Sequence, residues 1–306
     1  MDNSRYEKLL AKAMENRKSW GEGDAKRDKG LKEPENVRVI KNVAYTESDT
    51  EEEKIFHLAD VYYPEGEAPK GGYPVIVSVH GGGWFYGDKE LYRFYCMHLA
   101  TLGFAVVNFN YRLAPEYVYP AGFMDVCALM NFVKANAQRY EFDMDNLFMV
   151  GDSAGAQLCS QYCIWATSDK YHKLLDPECQ IDAPVPKRVA LNCGIYDMKD
   201  MKGREDFVEW YLPEDLSKDT DLGRSYYEIL EHLNENFPEC YVVTSYNDEI
   251  KKYTPVLLEF LDKAGVKYVA KEYAKDSPED GHVFHVNMKS KLGHQCNDDE
   301  ASFFRA

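Results

Sequence analysis

Two stretches constrain this chain more than any others. Residues 75–79 are an apolar run that breaks off into His80-Gly81-Gly82-Gly83-Trp84, and residues 147–150 break off into Gly151-Asp152-Ser153-Ala154-Gly155. A short run that is apolar at consecutive positions fits a strand covered on both faces. Glycines on either side of Ser153, with small residues after it, allow a sharp strand-to-helix turn and a closely packed helix. Such a turn lifts a hydroxyl above the sheet, and the glycine-rich loop offers backbone N–H groups to a developing oxyanion. Alone, Gly-x-Ser-x-Gly also describes a tight turn with Asp152 or Ser153 capping the next helix. Paired with the glycine run, it points to a nucleophile and its electrophilic partner.

The rest of the chain alternates. Residues 37–45 and 55–63 read as two antiparallel strands around the acidic turn 47–53. Strands follow at 75–79, 104–108, 147–150, 188–191, 241–244 and 268–273. Helices are predicted at 90–102, 121–139, 154–167 and 254–263, and the tail after His282 reads as helical. This order predicts an α/β class: a mostly parallel central sheet with helices on both faces, in one domain over 1–306. An N-terminal helix over 4–20 precedes a glycine-containing connector to Pro34. Residues 197–237 interrupt the alternation and carry Phe207, Trp210, Tyr211, Tyr226 and Tyr227. With residues 1–33 they are expected to form a lid over the carboxyl edge of the sheet, where ligands bind in open α/β sheets. The alternative is that these aromatics only hold the insertion onto the core.

A net charge of −16 argues against nucleic acid as a partner. No apolar stretch is long enough to span a bilayer, and residues 1–20 lack a leader's apolar core, so a cytoplasmic location and no membrane association are expected. The eight cysteines (Cys96, Cys127, Cys159, Cys163, Cys179, Cys193, Cys240 and Cys296) are scattered. Cys159 and Cys163 share a helix face, but no second pair or histidine cluster completes a zinc site, so reduced thiols and no metal are expected.

An activated serine needs a base in reach and a carboxylate to orient that base, with chain order Ser, Asp or Glu, then His. Residues 241–244 lead into Ser245-Tyr246-Asn247-Asp248-Glu249, and Asp248 is preferred as the earlier and shorter carboxylate. His282, His285 and His294 follow, and His282 is preferred because it sits in the loop beyond the last strand. His80 precedes that position and reads as a prop for the glycine loop.

These residues carry a resemblance. His80-Gly81-Gly82-Gly83-Trp84, Tyr111-Arg112-Leu113-Ala114-Pro115-Glu116, Pro120-Ala121, Asp125, Gly151-Asp152-Ser153-Ala154-Gly155, and Asn247-Asp248 through His282-Val283-Phe284 resemble the hormone-sensitive-lipase-like branch of the α/β-hydrolases. The bacterial acetyl-esterase and feruloyl-esterase-like enzymes are its nearest members in flavour. The resemblance implies Ser153 as nucleophile, His282 as base, Asp248 as its partner, and Gly82, Gly83 and Ala154 as oxyanion donors, with no cofactor. Lys252 departs from the family, which often has an aspartate there. Val283 departs from a frequent glycine. Such an enzyme would hydrolyse small-molecule esters, short-acyl and above all acetyl. An amidase on the same three groups, for example a formamidase, is the alternative, and a non-catalytic small-ligand binder is a further one. The 84–86 aromatics and the insertion suggest Trp84 and Trp210 as pocket walls. The acidic surface and N-terminal helix are compatible with a homodimer.

Overall fold

A computed structural model describes residues 3–175, 182–214 and 216–306. Strands β1 (Val37–Ala44), β2 (Leu58–Pro64), β3 (Tyr73–Val79), β4 (Ala105–Phe109), β5 (Phe142–Asp152), β6 (Arg188–Asn192), β7 (Glu239–Ser245) and β8 (Tyr268–Tyr273) form one sheet in the order β1-β2-β4-β3-β5-β6-β7-β8. The first two pairings, β1 with β2 and β2 with β4, are antiparallel. All the others are parallel. The helices are α1 (Asn3–Asp28), α2 (Arg93–Thr101), α3 (Ala121–Ala135), α4 (Ala154–Thr167), α5 (Asp169–Leu175), α6 (Glu205–Tyr211), α7 (Asp221–Tyr227), α8 (Thr254–Ala264) and α9 (Lys291–Arg305). No helix among the described residues is long and apolar enough to cross a membrane.

The central strands lack polar alternation because both faces are covered. Val75, Val77 and Val79 of β3, with Leu147 and Met149 of β5, pack against α3 and α4. Ile76, Phe148 and Val150, one residue out of phase, pack instead with Tyr95 and Leu99 of α2 and Phe304 of α9. Successive strand residues point to opposite sides, so each apolar run feeds two layers of core. The helices therefore lie on both faces, as predicted.

Register places the loops. Val79 pairs with Gly151, and Asp152 with Asn192, so the glycine run after β3, the turn after β5 and the end of β6 leave the sheet side by side. Some boundaries differ from the sequence reading. The N-terminal helix runs to Asp28 rather than stopping near residue 20. Gly21 and Gly23 each cost it about 1 kcal/mol, but Trp20 packs on Phe85 at 4.9 Å, and Arg27 reaches Asp24 at 2.8 Å and Asp28 at 2.7 Å. Tertiary contact overrides local propensity here. The 121–139 helix ends at Ala135, and β5 begins at Phe142, five residues before its predicted start at 147.

Candidate active site

Ser153 occupies a backbone conformation most side chains avoid, φ 51° and ψ −118°, between the last residue of β5 and the first of α4. Strain of this kind costs about 1–3 kcal/mol and persists only where the surroundings enforce it. The neighbours show how they do so. A Cβ on Gly155 would lie 2.1 Å from the Val79 carbonyl oxygen, and one on Gly151 would lie 2.5 Å from the Gly155 carbonyl oxygen. Only glycine lets α4 start this close to β3. The Ser153 N–H donates to the Asn192 carbonyl at 2.9 Å, which fixes the turn against β6.

The three side chains singled out from chain order meet. Ser153 Oγ lies 3.0 Å from His282 Nε2, and His282 Nδ1 lies 3.0 Å from Asp248 Oδ1. Asp248 Oδ1 also accepts the Ile250 N–H at 2.9 Å. Asp248 is fully buried while His282 remains partly open to solvent. Burial works against charging the imidazole, but the hydrogen bond and charge of Asp248, helped by Glu249 and Asp152, outweigh it and hold the His282 pKa above 6.5. Glu249 does not join the contact; it is largely exposed and faces Arg204 at 3.5 Å. His285 is buried away from the serine, its pKa pushed down to about 3 by burial, beside the Tyr95 ring. His294 bonds the Met288 carbonyl at 3.2 Å.

The glycine loop is braced from below. Burial drives the His80 pKa down to about 4, so the ring is neutral and its Nδ1–H donates to the Gly81 carbonyl at 2.7 Å. The ring stacks on Tyr111 at 4.2 Å, and the Tyr111 hydroxyl donates to the His80 carbonyl. The Gly81 N–H donates to the Tyr92 hydroxyl at 3.0 Å, which donates in turn to Asp152 Oδ2 at 2.8 Å. Burial raises the Asp152 pKa to about 7. Gly82 sits at φ 113°, its carbonyl accepting from the Tyr86 N–H at 2.9 Å to close the loop. Ala154, the first residue of α4, is buried, and an amide there has no carbonyl a turn earlier to bond.

A cavity of about 390 Å³ opens on Ser153, His282 and Gly81–Gly83. Trp20 and Arg27 of α1, Tyr86, and Arg204 and Phe207 of the 197–237 segment form its other walls. The two wall segments are joined by ion pairs, Arg5 with Glu209 at 2.7 Å and Lys12 with Asp206 at 2.6 Å, and by the Trp20–Phe207 contact at 5.9 Å. The expected walls Trp84 and Trp210 do not line it. Trp84 is buried, donating from Nε1 to Gln157 Oε1 at 2.9 Å and stacking on Tyr211 at 4.8 Å. Trp210 lies behind Phe207, packed on Phe85 at 4.5 Å. Burial satisfies the Trp84 indole N–H, whereas Trp210 is held by ring contacts, its Nε1 without a partner among the described residues. Trp20, like Arg27 and Arg204, is a wall residue that sequence reasoning missed. An aromatic near the end of the predicted N-terminal helix was the available signal.

The model of the BD-FAE family matches residues 59–253, more than half of the chain. The chain belongs to the BD-FAE family. The BD-FAE match takes in the glycine loop, Ser153 and Asp248, and it ends before His282 and begins after α1. The versiconal hemiacetal acetate esterase of Dothistroma septosporum is 27% identical over 240 residues, 74% of this chain and 70% of that protein. Carboxylesterase NlhH of Mycobacterium tuberculosis is 28% identical over 214 residues, 67% of this chain and 65% of its own length. Among solved structures, esterase B from Lactobacillus rhamnosis superposes with a TM-score of 0.83 at 23% identity, covering 99% of this chain and 96% of that one. The fold of this BD-FAE member is that of the α/β-hydrolases.

The cysteines among the described residues are buried, and Cys179 lies outside those residues. One trio has metal-ligand chemistry in reach, Cys193, Asp248 and His282, whose ligand atoms lie within 4.8 Å of one another. Two of its members are already committed to the Nδ1–Oδ1 hydrogen bond.

Proposed function

We propose that this chain is a serine carboxylesterase that works through an acyl-enzyme. The observation that carries the reading is the continuous hydrogen-bonded line Ser153–His282–Asp248 opening on a cavity that the glycine loop also lines. The names of the relatives, an acetate esterase and a carboxylesterase, support an ester as substrate. His282 Nε2 takes the Ser153 proton as Oγ attacks the ester carbonyl carbon. The amides of Gly82, Gly83 and Ala154 receive the oxyanion, each such donor being worth roughly 3 kcal/mol of barrier. His282 then gives its proton to the leaving alcohol, and water repeats the sequence to free the acid. Asp248 accepts from Nδ1–H throughout, which holds the imidazole in the tautomer that leaves Nε2 free to accept.

The preferred substrates are short-acyl esters, acetyl first. A cavity near 390 Å³, walled by Trp20, Tyr86 and Phe207, supports a small substrate over an extended lipid chain. Residues 1–33 and 197–237 act together as its lid. The test is ester turnover by the Ser153→Ala enzyme together with covalent labelling of the native enzyme by a fluorophosphonate. Turnover should vanish with the fold intact, and the label should sit on Ser153. Acetyl, butyryl and octanoyl nitrophenyl esters should fall in that order of kcat/KM, with an aryl formamide slower than all three. A fully active Ser153→Ala enzyme overturns the mechanism, and a preference for octanoyl overturns the short-acyl assignment.

A further inference from the structure

The end of β6 touches every member of the line. The Asn192 carbonyl holds the Ser153 amide, and the next residue, Cys193, brings its thiol to Asp248 and His282. Cys193 is held in the left-handed region at φ 49° by its own N–H, which donates to the Val243 carbonyl at 2.7 Å. Val283, directly after His282, is left-handed as well, at φ 50°. A β-branched residue resists that conformation, so the loop that carries the imidazole is under constraint where it passes the thiol. The thiol sulfur lies within 4.8 Å of the nearest Asp248 oxygen and His282 nitrogen, and the Asp248 charge and the Val283 amide both bear on its proton.

The second observation is on the carboxylate. Oδ1 is occupied by His282 and the Ile250 amide. Oδ2 is buried with no hydrogen-bond partner in place, sulfur included, among the described residues. An ionised oxygen shut away from water is costly unless something donates to it. The thiol beside it has that capacity: S–H is a weak donor and sulfur a weak acceptor. Burial pushes the Cys193 pKa well above its ordinary value, so the proton needed for donation stays on sulfur.

We propose that Cys193 is a positioning residue that clamps the acid loop to the base loop, its S–H donating to Asp248 and its sulfur accepting from the Val283 N–H. It acts only through Asp248 and His282 and has no contact with substrate. With the clamp in place, Asp248 cannot turn about its side-chain torsion, and the imidazole is held between two fixed loops. The inference rests on the proposed roles of Ser153, Asp248 and His282.

Cys193→Ser and Cys193→Ala test it. Serine keeps a donor and an acceptor of nearly the same size, whereas alanine keeps neither. Alanine should lower kcat about tenfold, the scale of one buried acceptor left unpaired, while KM stays within about twofold. A carboxylate that loses a donor becomes a stronger partner for Nδ1–H, so the acid limb of kcat/KM should also move to higher pH in the alanine variant. Serine should restore both kcat and the limb. A filler of space alone would show a lowered Tm with the limb unmoved, and serine would not differ from alanine. That pattern, or an alanine variant with native kcat, overturns the clamp. A Ser153→Ala enzyme that still turns over esters brings down the underlying roles instead, so the two failures are separable.

Discussion

Gly82→Ala is the most demanding test of the glycine loop, because the structure allows two costs to be separated. At φ 113° an alanine is strained by about 1–3 kcal/mol whatever surrounds it. In addition its Cβ would lie 2.0 Å from the Tyr86 carbonyl oxygen and 2.7 Å from the Tyr86 carbonyl carbon. Both are backbone atoms, so no side-chain rotation relieves the contact. Ordinary van der Waals contact begins near 3.4 Å, so the loop must open by about 1.4 Å. A misplacement of about 1 Å costs on the order of a hundredfold in rate. Loss of one oxyanion donor costs about 10²–10³ in kcat. The expectation is a fall in kcat/KM of about 10³ on 4-nitrophenyl acetate, mostly in kcat. Gly71→Ala is the control, with nearly the same φ, 105°, and no atom within 4 Å of the added Cβ. It should lower Tm by a few degrees, a shift of about 1–2 kcal/mol, with kcat unchanged. Steady-state kinetics and thermal melts on the two variants decide the matter. If Gly82→Ala loses no more activity than Gly71→Ala, the amides of this loop do not hold the oxyanion and the proposed assignment fails.

Other expectations follow from the same geometry. The His282 pKa is raised above 6.5 and the base must be neutral to act, so kcat/KM for a neutral ester should climb with pH through a limb above 6.5. Asp248→Asn leaves burial as the dominant influence and should move that limb below 6.5, and a limb that stays put would show that Asp248 does not set it. Trp20→Ala opens the cavity wall where Trp20 meets Phe85, Tyr86 and Phe207. KM for aromatic esters should rise about tenfold while kcat on acetate esters changes little, as initial-rate measurements on the two substrates would reveal. Glu300 is buried, with its pKa raised from 4.5 to about 7, so the folded state keeps a proton that the unfolded chain releases between those values. Its contribution therefore makes stability fall as pH rises through that window. Glu300→Gln should flatten the dependence of Tm on pH between about 5 and 7.5, and an unchanged slope would remove Glu300 as its source.

The parts legible in the sequence are those set by local sterics and by chain order. Apolar runs ending in glycine marked β3 and β5, since only glycine permits the Gly151–Gly155 approach to β3. Order along the chain narrowed the partners of Ser153 to Asp248 or Glu249 and to His282, His285 or His294, and loop position beyond a parallel strand favoured Asp248 and His282. The cavity wall was not legible in the same way. Trp84 and Trp210 were chosen for their nearness in sequence to the glycine loop and their place in the insertion. The directions of their rings depend on Gln157 and Tyr211 for one and on Phe85 for the other. Trp20 enters the wall because α1 continues to Asp28, which ion pairs and aromatic contacts decide rather than helix propensity. The surroundings of Cys193 come from three separate loops, and no spacing in the chain announces them.

The parentage of the cavity has an evolutionary consequence. Its reacting groups stand on the strands around which the whole interior is organised, so nearly any change beneath them disturbs folding. Two of its aromatic walls are borrowed, Trp20 from α1 and Phe207 from the excursion between β6 and β7. Those borrowed pieces can drift, or be grafted from a cousin, while the bond-breaking apparatus stays untouched. A change of wall therefore leaves the geometry of bond breaking in place.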